Sequence, residues 1–269
     1  MQLQRNNNLF SKQCWINENY NDLLVSSAFS GYDDFVRNEL GKSIRVEKEK
    51  SITFFKINQH DKRKGFYLKR EFPKWYKLVK RFIYFKKNNK LATLHELQLI
   101  QFYQDNNISV VIPVAWGEKR MFGIPVSGFL VQEEVQGVEF PLLMKSSSRQ
   151  ERIKLMRAYG KLIAELHSKG IISSTVRVTD LICTTSLNVE WNEISFVIID
   201  RENGEIGYEK FTFEKCVDCL SFILKRYFVF IGEPTGRELC YFLKTYLDYL
   251  HVDTKPMFKK LYFSIDCHK

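Results

Sequence analysis

Three side chains of this sequence have the types and settings that phosphate chemistry requires. Lys69 ends the stretch 65–69, whose aromatic and branched residues are typical of a strand, and Glu96 lies among apolar residues at helical spacing. Asp200 directly follows the apolar residues 196–199 and so stands at a strand end, where functional residues collect. Phosphoryl transfer needs a lysine that holds phosphates, a carboxylate that orients it and a carboxylate that holds a metal. The three residues follow the order of these roles.

The surrounding patterns predict the elements that position these side chains. Strands are predicted at 51–57 and 65–69, and the polar residues between them suit a hairpin connection. Leucine and isoleucine recur at helical spacing over 90–105, which predicts an amphipathic helix that carries Glu96. The remaining elements of this half are predicted as strands at 110–114 and 129–131, with a turn within 117–128.

The second half of the chain reads as mostly helical. Ser148 and Glu151 have the spacing of a capping box, a helix start in which each side chain pairs with the other residue's backbone N–H. Gly170 suits the left-handed end of that helix. Further helices are predicted at 213–230 and 236–250. Strands followed by helices indicate an α+β protein with two lobes, an N-lobe over 1–135 and a C-lobe over 136–269.

Composition limits the class of protein. The chain has 269 residues, of which 45% are hydrophobic, so it can bury a sizeable core and is not of the disordered type. Its start is polar, without the apolar region of a signal peptide, and no stretch approaches the ~18 apolar residues of a membrane span. We therefore expect a cytoplasmic protein with reduced thiols. The lone pair Cys216 and Cys219 is expected to serve packing rather than metal or redox chemistry.

Several stretches resemble the lipopolysaccharide kinase family, which includes the Kdo and heptose kinases of Gram-negative inner-core assembly. The resemblance runs from about Gly65 to Leu247. Gly65-Phe-Tyr-Leu-Lys69-Arg70 is similar to the family's strand with the ATP lysine, and Thr93-Leu-His-Glu96 is similar to the helix with its carboxylate partner. The resemblance implies a two-lobed, protein-kinase-like fold. It also implies ATP and Mg²⁺ as cofactors and a sugar hydroxyl of the lipopolysaccharide core as the phosphate acceptor.

Further motifs assign the rest of the site by the same resemblance. The stretch 129–134 resembles the hinge strand that meets adenine, which makes Glu133 and Glu134 candidate cofactor-binding residues. The stretch 198–201 resembles the family's metal site and places Asp200 as a metal ligand. In the stretch 217–219, an Asp matches the family's residue that braces the catalytic loop from a helix.

The catalytic loop departs from the family pattern. Where the family has His-Arg-Asp, this chain has Ser173, Ser174 and Thr175, and a threonine cannot act as a carboxylate base near neutral pH. Asp180 lies five residues further on and is the candidate to bind metal or to replace the base. A glycine-rich phosphate loop is also missing, since only Gly41-Lys-Ser precedes the strands. Two functions follow: an active sugar kinase, or a pseudokinase that binds nucleotide and serves as a scaffold or regulator.

The segment 72–87 mixes aromatic and basic residues and has three interpretations. From Lys62 to Lys90 the sequence has twelve basic residues and one acidic residue, a net +11 that accounts for the whole charge excess of +10. The segment could contact anionic lipid, place its aromatics in the core with a solvated basic face, or bind nucleic acid, which only the charge supports. The expected partners are the lipopolysaccharide core or another anionic glycolipid and an anionic membrane surface. That places the protein on the inner face of the inner membrane.

Overall fold

The computed structural model of the chain divides into two compact units. We call Met1–Gln101 with Val111–Glu134 the N-terminal unit, and Phe102–Val110 with Val135–Lys269 the C-terminal unit. The described residues are 10–37, 41–59, 62–84, 90–172, 176–200, 205–251 and 259.

A six-stranded antiparallel sheet forms the N-terminal unit. Its strand order is β1-β5-β6-β4-β3-β2. In chain order the elements are β1 (Phe10–Ile16), α1 (Asn21–Ser26), α2 (Tyr32–Arg37), β2 (Lys42–Val46), β3 (Lys50–Gln59), β4 (Lys62–Glu71), α3 (Trp75–Tyr84), α4 (Ala92–Asp105, whose last turn belongs to the C-terminal unit), β5 (Pro113–Met121) and β6 (Ile124–Glu133).

Alternation along β4 separates its side chains between the two faces of the sheet. Phe66 and Leu68 are buried in a hydrophobic cluster together with residues of α1 and α2. Because successive strand residues point to opposite faces, Lys69 and Glu71 project to the other face, which α4 covers. The sequence pattern of β4 therefore places the buried Lys69 on the face that is covered by the helix carrying Glu96.

The start of α4 is fixed to the sheet through Glu71. Its Oε2 accepts hydrogen bonds from the backbone N–H of Ala92 (2.7 Å) and of Thr93 (3.3 Å). The first N–H groups of a helix lack partners within the helix, and a carboxylate there also suits the helix dipole. Gly128 lies opposite Glu71 on β6, and a Cβ on it would come within 2.6 Å of Leu91 Cδ1. Gly128 thus lets the helix start close to the sheet.

Helices and a small sheet form the C-terminal unit. The sheet has the order β7-β8-β9 and is antiparallel. The elements are β7 (Val138–Glu139), α5 (Phe140–Ser146), α6 (Arg149–Ser168), β8 (Leu181–Cys183), β9 (Phe196–Ile198), α7 (Phe213–Phe230) and α8 (Gly236–Tyr249), with a 3₁₀ turn at Val178–Asp180 before β8.

Aromatic packing joins the elements of the C-terminal unit. The ring of Phe140 lies 5.2 Å from that of Tyr159 on α6 and 5.4 Å from that of Phe196 on β9. The ring of Tyr159 in turn lies 5.5 Å from that of Phe242 on α8. A Cβ on Gly160 would come within 2.5 Å of the Phe242 carbonyl oxygen, so this glycine allows α6 and α8 to pack backbone to backbone.

The predicted elements are largely confirmed. The fold is α+β, the capping box of Ser148 and Glu151 is formed, and Gly170 has a φ of 73° after α6. The helices predicted at 90–105, 213–230 and 236–250 are α4, α7 and α8. None of the helices in the described ranges has the length and apolar character needed to cross a membrane.

Two boundaries were predicted wrongly. β3 and β4 run on through most of 58–64, because that polar stretch pairs as an extension of the hairpin. Residues 110–112 are not a strand: Val110 makes one isolated parallel bridge to Ile198 and is buried there, which explains its apolar pattern without a sheet. The turn predicted within 117–128 is confirmed: it consists of Phe122 and Gly123, both at positive φ, as tight hairpin turns require.

Candidate functional site

Lys69 and Glu96 form a buried ion pair in the N-terminal unit. Lys69 Nζ lies 2.8 Å from Glu96 Oε1, and the two side chains are only 10% and 1% exposed. β4 supplies the lysine, and α4 supplies the carboxylate one turn after the end that Glu71 fixes. The structure thus brings together the two residues that the sequence assigned to holding phosphates and to orienting the lysine.

Gln132 is a third member of this group that the sequence did not predict. Its Nε2 donates to Glu96 Oε1 at 2.8 Å, so the same oxygen accepts hydrogen bonds from Lys69 and from Gln132. Gln132 is 4% exposed and pairs in register with Tyr67 of β4. Two donors on one oxygen fix the carboxylate more firmly than the lysine alone. The sequence signal that could have identified Gln132 is a polar residue directly after the apolar stretch 129–131.

Glu133 does not join this group. It follows Gln132 along β6, so strand alternation turns its side chain to the opposite face of the sheet. There its Oε2 accepts a hydrogen bond from the Tyr20 hydroxyl at 2.5 Å, and Lys64 Nζ lies 3.4 Å from its Oε1. Burial and this carboxylate together raise the pKa of the Tyr20 hydroxyl. The expectation that Glu133 binds a cofactor gains no geometric support from the side chain's position.

Glu134 lies just beyond the end of β6 and over the start of β4. Its backbone N–H donates to the Gly65 carbonyl at 2.8 Å, and its Oε2 fills the space that a Cβ on Gly65 would occupy. The backbone N–H of the preceding residue, Glu133, donates to Ile112. Both N–H groups therefore pair within the protein, and a hinge contact to adenine at these two residues would have to use carbonyl oxygens.

Asp180 and Asp200 meet at one end of the small sheet in the C-terminal unit. Asp180 directly precedes β8, and Asp200 follows β9 by two residues. Since β8 and β9 are antiparallel, the start of one strand lies beside the end of the other. The Ile199 N–H donates to the Asp180 carbonyl at 2.7 Å and extends this pairing. Topology, rather than sequence proximity, therefore brings together the two acids predicted to bind metal.

Arg177 contacts both of these acids. Its Nε lies 3.0 Å from Asp180 Oδ2, and its Nη2 lies 3.9 Å from Asp200 Oδ2. Asp180 is buried, at 2% side-chain exposure, and also accepts a hydrogen bond from the Thr179 hydroxyl at 3.1 Å. The side chain of Asp200 is 51% exposed. A guanidinium thus already serves the carboxylates between which a metal ion was expected.

The backbone of Asp200 is in an uncommon conformation. Its φ is 54°, in the left-handed region that is disfavoured for residues other than glycine, although aspartate and asparagine tolerate it better than most. Such conformations cost free energy and cluster at functional sites. The turn after β9 therefore holds this carboxylate in a defined position at a cost in stability.

Other residues predicted for the site can be placed only in part. Thr175, with Ser173 and Ser174, lies outside the described residues. Asp218, which resembles the helical brace of the catalytic loop, is exposed on α7. Within the described residues, no three His, Cys, Asp or Glu side chains are grouped as metal ligands.

The hairpin between β2 and β3, which precedes the strand of Lys69, is not a glycine-rich phosphate loop. Its tip, Glu47-Lys-Glu49, contains no glycine, and the Glu47 N–H donates to the Lys50 carbonyl at 2.8 Å. Glu49 connects the tip to the start of α3: its carbonyl accepts from the Phe72 N–H at 2.7 Å and its carboxylate lies 2.6 Å from Lys77 Nζ. The tip is therefore acidic, and one backbone contact and one side-chain contact hold it in place. It does not present a row of backbone N–H groups to a phosphate.

The C-x-x-C pair lies in a buried polar network of the C-terminal unit. His167 Nδ1 lies 2.7 Å from the Tyr246 hydroxyl and its Nε2 lies 3.2 Å from Cys219 Sγ. Burial lowers the pKa of His167 to about 4 and raises that of Cys219 to about 12, and it raises the pKa of Cys216 as well. Thiols with raised pKa values are inert. The network joins α6, α7 and α8, which agrees with the packing role expected for the two cysteines.

Comparison with known proteins gives a family match over most of the chain. The profile of the lipopolysaccharide kinase (Kdo/WaaP) family matches residues 34–206, more than half of the chain. The chain belongs to the lipopolysaccharide kinase family. The matched range includes Lys69, Glu96, Gln132, Asp180 and Asp200. No curated protein matches the chain in a direct sequence comparison.

A solved structure titled "WaaP in complex with acyl carrier protein" has the same fold. It is 14% identical in sequence and gives a TM-score of 0.64 over 95% of this chain and 99% of that chain. At this identity the likeness concerns the fold alone. It confirms the predicted kinase-like fold for this member of the lipopolysaccharide kinase family.

Proposed function

We propose that this lipopolysaccharide kinase family member binds ATP through the N-terminal unit and transfers its phosphate slowly or not at all. The observation that carries the first half is the buried pair of Lys69 and Glu96, held further by Gln132. ATP, when bound, would supply the γ-phosphate. Lys69 would hold its phosphates, and Glu96 would orient the lysine.

A purely structural role explains the buried pair less well. Taking two charges out of water is costly, and apolar residues of similar size often stabilise a protein more than a buried ion pair does. Two further polar contacts, from Gln132 to Glu96 and from Glu71 to the start of α4, add to the cost of building this group. A cation oriented inside the protein supports a role in binding an anion such as a nucleotide phosphate.

Loss of transfer rests on the predicted catalytic loop and on one contact in the C-terminal unit. The resemblance assigns the base position to Thr175, which cannot take up a proton as a carboxylate does. The acid that could replace it, Asp180, is enclosed and paired with Arg177. Both support the pseudokinase, a nucleotide-binding scaffold or regulator of core assembly, over the active sugar kinase. The active alternative would require Asp180 to leave Arg177 and reach an acceptor hydroxyl.

Mg²⁺, the second cofactor expected for the family, fits this arrangement poorly. Magnesium is held by one or two carboxylates together with phosphates and water. Asp180 and Asp200 have the right chemistry, but Arg177 is already in contact with both. The proposed nucleotide binding therefore rests on Lys69 and Glu96, without a bound metal ion.

An isothermal titration with ATP tests the nucleotide proposal. The parent protein should bind ATP, and Lys69→Ala should weaken binding by on the order of a hundredfold, because a buried charge-assisted contact to phosphate is lost. Lys56→Ala is the matched control, since Lys56 is an exposed lysine of the neighbouring strand β3, and it should bind as the parent does. No heat of binding from the folded parent at millimolar ATP would refute nucleotide binding.

We also propose that the protein works at an anionic membrane surface and contacts it through α3. The described part of segment 72–87 argues against an aromatic core, because Phe72, Trp75, Tyr76 and Val79 are 41%, 75%, 41% and 42% exposed. Trp75 and Val79 lie one helical turn apart, with Tyr76 beside them, so one side of α3 presents apolar groups to solvent. Helices with an apolar side and basic residues opposite lie in the membrane interface.

Charge complementarity favours lipid as the occupant of this surface. Lys77 lies on the opposite side of α3 from Trp75 and Val79, and the sequence of the helix continues with two more basic residues at 80 and 81. Basic residues near an anionic surface contribute on the order of 1 kcal/mol each, and salt screens them. The expected substrate, the anionic lipopolysaccharide core or a similar glycolipid, is anchored in such a membrane.

Sedimentation with vesicles tests the membrane proposal. Binding to vesicles that contain anionic phosphatidylglycerol should exceed binding to neutral vesicles and fall as salt rises. Trp75→Ser and a Lys74→Glu, Lys77→Glu pair should each reduce it, whereas Val46→Ser, which changes an equally exposed residue on β2, should not. Acyl carrier protein, the partner named for the matching structure, is the competing occupant of α3. Binding to that protein without binding to vesicles would refute the lipid assignment.

A further inference from the structure

The setting of Arg177 distinguishes this chain from an open metal site. Its side chain is 31% exposed, so one edge of the guanidinium stays in contact with solvent while Nε serves the buried Asp180. The same side chain also reaches Asp200, which lies 23 positions further along the chain. The contact to Asp180 alone could be a local pair three residues apart. The second contact makes the guanidinium a bridge between the strand ends.

We propose that Arg177 is a built-in cation that takes the place of a divalent metal between Asp180 and Asp200, so that this pair of acids binds no divalent ion. The inference concerns the C-terminal unit alone.

Competition between the guanidinium and a metal ion is the physical basis. Mg²⁺ requires direct contact with carboxylate oxygens at a short distance and in octahedral geometry. To reach Asp180 Oδ2 it must displace Arg177 Nε, and the arginine then loses its buried partner. A guanidinium does not give up its proton, so this positive charge is present at every physiological pH and cannot be titrated away.

The net charge of Asp180, Asp200 and Arg177 also disfavours a bound divalent ion. Two carboxylates and one guanidinium leave a single net negative charge, whereas two carboxylates alone would leave two. Divalent ions bind carboxylate pairs largely through that charge, so halving it weakens the attraction.

Direct metal binding tests this inference without any nucleotide. Mn²⁺ serves as the probe, because its binding is seen in the electron paramagnetic resonance spectrum of the free ion. The parent should bind no Mn²⁺ that Asp200→Asn removes. Arg177→Gln should gain one Mn²⁺ site, and adding Asp180→Asn should abolish it. A site in the parent that is lost in Asp200→Asn would overturn the proposal, and so would a folded Arg177→Gln variant that binds no Mn²⁺.

The parent measurement stands even where Arg177→Gln fails to fold, and Arg177→Lys adds a milder variant. Lysine keeps the charge near Asp180 but lacks the fork that reaches Asp200, so it should bind Mn²⁺ more weakly than Arg177→Gln and more tightly than the parent. Arg152→Gln is the matched control. Arg152 makes a paired contact to the buried Glu238 in the same unit, 2.6 Å from Nε to Oε1. Its loss should create no Mn²⁺ site.

Discussion

The two units differ in how closely they keep the residues that the family pattern assigns to phosphoryl transfer. In the N-terminal unit, Lys69 and Glu96 are paired at 2.8 Å, and Gln132 and Glu71 add contacts that fix the carboxylate and its helix. In the C-terminal unit the position predicted for the base is a threonine, and the acids predicted to bind metal are bridged by Arg177. The ion pair proposed to hold a nucleotide is formed, while the residues predicted to move its phosphate differ from the family pattern. Holding a nucleotide and moving its phosphate are therefore separable demands on one fold.

Restoring the base should have the largest effect. Thr175→Asp supplies the missing carboxylate, and a positioned base contributes ~10²–10⁴-fold to such a step. We expect the parent to transfer little phosphate from ATP to core-sugar acceptors, and the variant to transfer more, measured with radiolabelled ATP. Thr175→Asn has nearly the same size without the charge and should stay inactive. Ordinary kinase turnover in the parent, abolished by Asp180→Asn, would instead make Asp180 the base and remove the contrast between the units.

Breaking the buried pair should have the next largest effect, this time on stability. Glu96→Ala leaves the Lys69 charge buried without its partner, which typically lowers the free energy of unfolding by about 3–5 kcal/mol. The double variant Lys69→Met, Glu96→Leu removes both charges and should recover most of that loss while remaining unable to bind ATP. Urea denaturation measures the first effect and calorimetry the second. A double variant that still binds ATP would dissociate the pair from function.

Acid should destabilise the C-terminal unit through His167. Burial lowers its pKa to about 4 in the folded state, against an ordinary value of 6.5, so the unfolded chain binds a proton that the folded one rejects. The free energy of unfolding should thus be flat above pH 6.5 and fall between pH 6.5 and 4, by about 1.4 kcal/mol for each step of one pH across that window. The groups that face His167, Tyr246 and Cys219, stay neutral over this range. His167→Gln should flatten the profile in urea melts at successive pH values, and an unchanged slope would assign the acid sensitivity elsewhere.

Removing the contact from Gln132 should have the smallest effect. Gln132→Met keeps the size of the side chain and takes one donor from Glu96 Oε1, while Lys69 stays bound to it. A hydrogen bond to a charged group contributes about 1.5–3 kcal/mol, part of which better packing of methionine should offset. We expect ATP affinity to drop severalfold, well short of the loss in Lys69→Ala. An effect equal to that of Lys69→Ala would mean that Gln132 contacts the nucleotide itself.

The sequence predicted the part of the N-terminal unit around Lys69 and Glu96, because local patterns determine it. Alternation in the strand around Lys69 and helical spacing around Glu96 specify which faces meet, and no distant contact is needed to infer the pair. The same alternation places Glu133 on the opposite face from Gln132, which the hinge resemblance does not show. The elements β1, α1, α2, β2 and α3 were not predicted.

The C-terminal site was less predictable, for a physical reason. Asp180 and Asp200 meet through two three-residue strands, too short to show a pattern of their own. Arg177 looked like one more basic residue in a basic chain, and only the antiparallel pairing of β8 and β9 shows that it can reach both acids. Short strands and charge bridges depend on tertiary contacts, which one sequence read in order does not reveal.

The tether between the β2–β3 hairpin and α3 has a mechanical consequence. Glu49 is held at its carbonyl by Phe72 and at its carboxylate by Lys77, and Lys77 lies on the helix that we assign to the membrane. On the membrane contact proposed above, a lipid phosphate that attracts Lys77 would remove one of the two contacts that hold the hairpin tip. Lipid binding at α3 would then free the tip to move. A family member without phosphate transfer could in this way still respond to a membrane.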